Sequence, residues 1–128
     1  MNQRGFATLE VILMIVVIGI LATVAVPRFT DVTTKANTAK IQSDLTTIDT
    51  AIQIYYMEKG KYPENINTDL KDYLMDIPKP PTGSAYINGT STKIDKDEYG
   101  LTEVGTDNKK VTRATYDSKT VDNFTLPK

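Results

Sequence analysis

The side chains that carry most enzyme and metal chemistry are missing from this sequence of 128 residues. It contains no histidine, no cysteine and no tryptophan. Histidine is the commonest general base and metal ligand, and cysteine is needed for disulfides, thiol nucleophiles and zinc–thiolate sites. We therefore expect a protein that is not an enzyme, in which carboxylates and basic side chains are left to bind an ion or a partner.

One group of closely spaced carboxylates lies in the stretch "DKDEYG", residues 95–100. Asp95 and Asp97 are two residues apart, Glu98 follows directly, and a glycine closes the stretch. Such oxygen ligands suit Ca²⁺, but the complete spacing of an EF-hand loop is absent, including its closing glutamate. A solvated turn explains the same residues, so we expect no cofactor and keep calcium at Asp95, Asp97 and Glu98 as the alternative.

A basic cluster is formed by Lys109, Lys110 and Arg113. These side chains could contact the phosphates of a nucleic acid. The formal net charge of the chain is −1, however, which gives no general attraction to nucleic acid or to anionic lipid. An edge strand that lysines protect from pairing explains the same cluster, and we favour that interpretation.

A single carboxylate, Glu10, lies near the start of the apolar run "RGFATLEVILMIVVIGILATVAVPRF", residues 4–29. No other charged residue occurs between Val11 and Val26. As a helix, residues 6–26 would match the hydrocarbon core of a membrane, which is ~30 Å thick. A charge at the centre of a bilayer costs roughly 2.5–3.5 kcal/mol on insertion scales, and less near its edge. Glu10 therefore either stays among the lipid headgroups or has a partner of opposite charge.

Two ordinary interpretations of this run leave Glu10 unexplained. The run could be a cleaved secretory signal peptide, with the basic Arg4 before it and small residues at Thr23 and Ala25 as a cleavage site. It could also be a simple single-span anchor, whose orientation the balanced Arg4 and Arg28 define only weakly. Neither interpretation requires a carboxylate at position 10.

The order of residues at the N-terminus resembles the class III signal peptide of type IV pilins and pseudopilins. A short polar leader, "MNQRG", is followed by Phe6, by Glu10 four residues later, by the apolar run and by Pro27. The segment "FATLE" departs from the commoner Phe-Thr-Leu-Ile-Glu form but keeps the spacing of glycine, phenylalanine and glutamate. The resemblance implies that a prepilin peptidase cuts between Gly5 and Phe6, that the new Phe6 amine is methylated, and that the apolar helix is retained.

This maturation would give Glu10 its partner. Cleavage creates an α-amino cation at Phe6, one helical turn from Glu10 and on the same helix face. When subunits stack, the Glu10 carboxylate of one copy can meet the Phe6 amine of another in a filament core, where a low dielectric makes each unpaired charge costly. Glu10 is thus predicted to set the register of assembly. The implied partners are other copies of the chain, the prepilin peptidase, the pilus assembly platform and minor pilins.

One helix is predicted from Phe6 to about Glu58, where "KGKYP" supplies a glycine cap and a proline stop. Its second half presents apolar residues spaced by three or four positions, which indicates one buried face. These residues are Ile41, Leu45, Ile48, Ile52 and Tyr55. A separate stripe in a slightly different phase consists of Phe29, Val32, Ala36 and Ala39.

The residues after this helix predict a small head built from short elements. A short helix is expected in "DLKDYLMDI", residues 69–77, followed by the turn-rich connector "PKPPTG". Asn88-Gly89 is a hairpin turn signal, and "GTDNKK" predicts a longer turn. Three or four short antiparallel strands are expected around these turns, in the segments "SAYI", "EYGLTEV", "KVTRATY" and "VDNFTL".

The predicted fold class is therefore α+β, with a long N-terminal helix packed on a small antiparallel β-sheet head, and the resemblance implies the same pilin fold. Three segments are expected along the chain. They are a leader at residues 1–5, a transmembrane or filament-core helix at residues 6–27, and a globular head at residues 28–128 that includes the amphipathic half of the long helix.

The expected function is that of a structural subunit, the major pilin of a type IV pilus-like extracellular filament. Its precursor would be a single-pass protein of the cytoplasmic (inner) membrane, and the assembled filament would lie at the cell surface. The Asp-Pro-Trp-Gly motif that is typical of the major pseudopilin is missing, since the chain has no tryptophan.

Two alternatives remain open at this point. The first is a major pseudopilin of a type II secretion system or of a competence pseudopilus. The resemblance then implies calcium near Asp95 in the secretion system, and DNA as a partner only in a competence filament. The second is a membrane-anchored binding module that never polymerises.

Overall fold

The computed structural model describes residues 3–106 and 109–128, and within these ranges it describes the side chains of all residues except 26–28. The first two residues of the predicted leader and the middle of the "GTDNKK" turn lie outside the described residues. The chain divides into two compact units, one up to Thr33 and one from Thr34 onward.

Helix α1 (Gln3–Lys59) forms as one continuous α-helix, which confirms the predicted long helix. It begins inside the predicted leader, and neither Gly19 nor Pro27 ends it. At the C-terminal end, Gly60 adopts a φ of 70° and donates its N–H to the carbonyl of Tyr56 at 2.8 Å. A glycine in this left-handed conformation is a common way to satisfy the last carbonyls of a helix.

The first unit exposes the apolar part of α1. An 18-residue window of this helix has a mean hydropathy of 2.8, and none of the window is buried within the chain. By length and composition, the helix is long and apolar enough to cross a membrane.

The amphipathic half of α1 supplies the core of the second unit. The predicted stripe of Ile41, Leu45, Ile48, Ile52 and Tyr55 is buried, as expected from its spacing. Buried residues from the head complete this core. They include Ile66, Leu70, Leu74, Ala85, Tyr99, Ala114, Tyr116 and Phe124.

The earlier stripe behaves differently from the later one. Phe29, Val32, Ala36 and Ala39 are all exposed. Towards the N-terminus, two threonines continue the buried face instead. Thr34 and Thr38 lie in phase with Ile41 and Leu45. They are only 4% and 1% exposed, and the Thr38 hydroxyl is hydrogen-bonded to the carbonyl of Thr34 at 2.7 Å.

The short helix lies earlier than the sequence predicted. Helix α2 (Ile66–Asp69) ends where the expected helix at residues 69–77 was to begin, so that prediction is wrong. The side chain of Asn65 accepts the N–H of Asn67 at 2.8 Å, which starts the helix at Ile66. The Asp69 carboxylate accepts the N–H groups of Glu64 and Asn65, and these bonds hold the pKa of Asp69 below its usual value.

Within residues 3–106 and 109–128, four strands form two antiparallel hairpins. Strand β1 (Ser84–Ile87) pairs with β2 (Thr90–Lys93), and β3 (Gly100–Val104) pairs with β4 (Val111–Thr115). Each pair is a separate two-stranded sheet. The α+β, pilin-like class is thereby confirmed, with the strands divided between two hairpins.

The prediction of a last strand in "VDNFTL" is wrong. Val121–Asn123 is a single turn of 3₁₀ helix, and the residues after it have no regular secondary structure. The Asn123 side chain accepts the backbone N–H of Thr120 at 3.2 Å, which closes this turn. Phe124 follows directly and is fully buried. The segment is thus held by the packing of one aromatic side chain, and not by the alternation of buried and exposed side chains that is typical of a strand.

Candidate functional site

The residues that the N-terminal pattern singled out lie together on the first turns of α1. The bond between Gly5 and Phe6 is inside the helix, and the Thr8 hydroxyl bridges it by donating to the carbonyl of Arg4 at 2.9 Å. Phe6 is 66% exposed, and Glu10 is exposed one turn further along the same face. Within the described ranges, Glu10 has neither a hydrogen bond nor an ion pair to its own chain. Its carboxylate is therefore available to another molecule.

The surface around Glu10 is almost entirely apolar. The large side chains from Phe6 to Val24 are exposed by about half or more. A soluble monomer rarely exposes a continuous apolar patch of this kind, and such patches mark a surface that lipid or another protein covers. The arrangement can hold a chain in a membrane, and it can pack against the same helix of other copies.

The calcium candidates are not gathered into one group of ligands. The Tyr116 hydroxyl accepts the N–H of Asp95 at 2.9 Å and lies 3.4 Å from the Asp95 carboxylate, to which it can donate. Asp97 and Glu98 line an open cleft of about 620 Å³ together with Asp117, and Asp95 is not part of its lining. In residues 3–106 and 109–128, no three acidic side chains come together in a way that could hold a metal ion. Calcium binding stays the untested alternative to the expectation of no cofactor.

The end of this acidic loop is fixed to α1 through Tyr99. Its ring is largely buried, and its hydroxyl donates to Asp44 Oδ2 at 2.7 Å. Burial and the neighbouring carboxylate together raise the pKa of Tyr99 well above its ordinary value. The same Asp44 oxygen is 2.6 Å from Lys40 Nζ, one turn back along the helix. Sequence reasoning missed the contact between Tyr99 and Asp44, because these two residues are far apart in the chain.

Two members of the basic cluster, Lys110 and Arg113, pair with carboxylates of their own chain. Arg113 Nε donates to Asp49 Oδ2 at 2.8 Å, and Asp49 Oδ1 accepts the N–H of Ala114 at 2.7 Å. Lys110 Nζ lies 3.5 Å from the Glu103 carboxylate across the second hairpin. Arg113 thus joins β4 to α1, which is a structural role. The edge-strand interpretation of this cluster suits these contacts better than a phosphate-binding patch.

These features define a class of protein: a subunit with an exposed apolar N-terminal helix, an amphipathic continuation of that helix, and a small antiparallel β head. Comparison with known proteins gives the same class. The chain is 32% identical over 127 aligned residues to the type II secretion system core protein G of Aeromonas hydrophila, covering 83% of this chain and 89% of the relative. The corresponding protein of Klebsiella michiganensis is 30% identical over 100 residues, covering 77% and 70%.

A second kind of relative is the type IV major pilin protein PilE1 of Neisseria gonorrhoeae. It is 33% identical over 99 residues, covering 77% of this chain and 50% of the relative. No family model matches the chain, and no solved structure matches it significantly. The chain belongs to the family of type IV pilins and type II secretion pseudopilins. It is a pilin-like filament subunit and not an enzyme, and its apolar N-terminal helix fits a membrane-anchored precursor.

Proposed function

We propose that the chain is the major pseudopilin of a type II secretion system. The observation that carries this proposal is the match to core protein G over most of both chains. The major pilin that the sequence favoured is supported less well, because the PilE1 match covers only half of that relative. The preference for a pilus was based on one missing tryptophan motif, and similarity along most of the chain outweighs it.

Maturation at Gly5–Phe6 is part of the same proposal. Cleavage there removes a short polar leader and leaves the whole exposed apolar helix on the subunit. The new amine at Phe6 lies one turn from Glu10, whose carboxylate has no partner in its own chain within the described ranges. In an assembled filament, each Glu10 would meet the Phe6 amine of a neighbouring subunit. Because breaking a desolvated pair costs about 3–5 kcal/mol, this contact would favour one register over others.

The partners follow from this life cycle. The precursor is held in the inner membrane by residues 6–27, and a prepilin peptidase acts on it there. The assembly platform then adds the mature subunit to a filament of identical copies, which minor pseudopilins start.

The experiment that tests the proposal is deletion of the gene in its native host, followed by two measurements on the same cells. Loss of secreted proteins from the medium, with surface pili intact, is the expected result. Complementation with the wild-type chain should restore secretion, whereas a Glu10→Ala chain should accumulate in the membrane and fail to do so. Normal secretion together with loss of surface pili would refute the pseudopilin assignment.

That opposite result would support the second candidate, a type IV major pilin, which the similarity to PilE1 favours. Shearing the cells separates the two candidates independently. A pilus subunit is released into the high-molecular-weight sheared fraction, and a pseudopilin stays with the cell envelope.

A further inference from the structure

The turn between β1 and β2 consists of Asn88 and Gly89, with φ angles of 50° and 77°. Both central positions of a two-residue type I′ turn need a positive φ, which explains the choice of these residues. The same dipeptide is chemically labile. Glycine has no side chain to shield its amide nitrogen, so asparagine followed by glycine is the sequence in which deamidation meets the least steric hindrance.

The reaction uses atoms of the turn itself and water. The backbone nitrogen of Gly89 attacks Cγ of Asn88, a new N–C bond forms, and the nitrogen gives up its proton to solvent base. The side-chain nitrogen leaves as ammonia, which closes a five-membered succinimide ring. Water then opens the ring at one of its two carbonyls and gives either aspartate or isoaspartate at position 88.

The last residue of the 3₁₀ turn and the residues after it are hydrogen-bonded to both Asn88 and Gly89. The N–H of Gly89 donates to the carbonyl of Thr125 at 3.0 Å, and the N–H of Asn88 donates to the carbonyl of Asn123 at 2.7 Å. The Asn123 side-chain amide donates to Asn88 Oδ1 at 3.4 Å. While these bonds last, the N–H of Gly89 is engaged with a carbonyl, and the side-chain oxygen of Asn88 is engaged with an amide donor.

This C-terminal segment, residues 123–125, is anchored at two points. Phe124 is fully buried in the core of the head. The side-chain amide of Gln42, on α1, donates to the carbonyl of Phe124. The covering of the turn therefore depends on a contact with the long helix as well as on the turn residues.

We propose that Asn88 is a deamidation site that the C-terminal segment keeps closed, and that it opens only when this segment detaches. Deamidation of Asn88 is irreversible, because the ammonia is lost. Isoaspartate inserts an extra carbon into the main chain between residues 88 and 89, so the two N–H groups can no longer reach the carbonyls of Asn123 and Thr125 together. A head that has once released this segment would then keep the modified residue at position 88 permanently. This chemistry is the same whether the filament is a pilus or a pseudopilus.

The test follows deamidation of the full chain in detergent micelles at mildly alkaline pH. Peptide mapping by mass spectrometry measures the conversion of the Asn88 amide to an acid over time. A synthetic peptide of residues 84–93 gives the rate of the uncovered sequence. The folded chain should react at least about tenfold more slowly than the peptide, because two backbone hydrogen bonds must open first.

The Gln42→Ala variant shows whether the C-terminal segment causes this protection. It should raise the rate at Asn88 several-fold while the core stays folded. The matched control is Gln53→Ala, which removes an exposed glutamine from the same helix and should leave the rate unchanged. Phe124→Ala should accelerate the reaction further, but it also disrupts the core. The Gln42→Ala variant is therefore the one that tests the proposal. Equal rates in the folded chain and the peptide, or in the two glutamine variants, would overturn the proposal.

Discussion

Asp49 on α1 and Arg113 on β4 form an ion pair that joins the long helix to the second hairpin, with 2.8 Å between Asp49 Oδ2 and Arg113 Nε. The other oxygen of Asp49 accepts the N–H of Ala114, so one carboxylate fixes both a side chain and the backbone of the strand. Both side chains of the pair are mostly shielded from solvent, at 17% and 29% exposure. We expect this contact to contribute to the stability of the head.

Replacing Asp49 with alanine should lower the free energy of unfolding by about 1–3 kcal/mol, since it removes the acceptor of both Arg113 Nε and the Ala114 N–H and leaves Arg113 only the more distant carboxylate of Asp122, at 4.0 Å. The measurement is urea unfolding of the full chain in detergent, followed by near-UV circular dichroism. All seven tyrosines lie at or beyond residue 55, so this signal reports on the head. The control Glu103→Ala breaks the exposed pair with Lys110 and should cost less than about 1 kcal/mol. Equal losses in the two variants would contradict the structural role of Asp49.

The buried hydroxyl of Tyr99 predicts a loss of stability at alkaline pH. Burial and Asp44 raise the pKa of Tyr99 in the folded head above its ordinary value of 10.0. The unfolded chain therefore releases this proton at a lower pH than the folded chain does. The contribution of Tyr99 to stability is fully present below pH 10 and is lost progressively as the pH rises above it.

This prediction can be checked by measuring Tm between neutral and strongly alkaline pH. The Tyr99→Phe variant should lose about 1 kcal/mol at neutral pH through the missing bond to Asp44, but its Tm should fall less steeply above pH 10. Tyr56→Phe, at a ring that is 41% exposed, is the control and should follow the wild-type curve. Parallel curves for all three proteins would show that Tyr99 is not the titrating group.

Removal of divalent cations should leave the head unchanged. Asp95 is bonded to Tyr116, whereas Asp97 and Glu98 face a cleft that Asp95 does not line. A chelator is therefore expected to cause no shift in Tm. A fall in Tm that calcium reverses, and that the Asp97→Asn variant does not show, would instead establish the calcium site.

Neutralising Glu10 should block assembly without unfolding the subunit. In the Glu10→Gln variant the Phe6 amine loses its partner, at a cost of about 3–5 kcal/mol per subunit, so cross-linked oligomers should decrease by at least about a hundredfold. The variant should still reach the membrane, because the change makes the apolar segment less polar. Thr23→Val serves as the control, since the Thr23 hydroxyl is bonded to the carbonyl of Ile20 in its own helix. Wild-type levels of oligomers from Glu10→Gln would show that this carboxylate does not direct assembly.

Local periodicity predicted the parts of the fold that depend on neighbouring residues. The stripe from Ile41 to Tyr55 is buried as expected, since residues three and four apart share one face of a helix. The Asn88-Gly89 turn and the strand before it were also predicted, because the turn needs residues that tolerate positive φ.

The same reasoning failed where a distant contact decides the outcome. The alternation in "VDNFTL" suggested a strand, but burial of Phe124 and bonds from Asn88 and Gly89 hold this segment in another conformation. Thr34 and Thr38 continue the buried face of α1, and no apolar pattern marks them. From the sequence alone, Asp49 would be interpreted as a solvated charge, because its partner Arg113 lies far along the chain.

The candidate assembly site differs from both cases. Phe6 and Glu10 were singled out by the resemblance of the N-terminus to the class III signal peptide, and the structure places them on one exposed face. The contact proposed for them lies between subunits, however, and a single chain does not contain it. Its strength depends on how fully the neighbouring helices exclude water from the pair.

Assembly through Glu10 is tested most directly by the intact mass and N-terminal sequence of the chain recovered from envelope filaments of the native host. We predict a subunit that begins at a methylated Phe6 and retains the whole apolar helix. A chain that begins after Ala25 and is free in the medium would mean a cleaved signal peptide. A chain that keeps residues 1–5 and occurs only as a monomer in the membrane would mean a simple anchor, and either result would contradict assembly through Glu10.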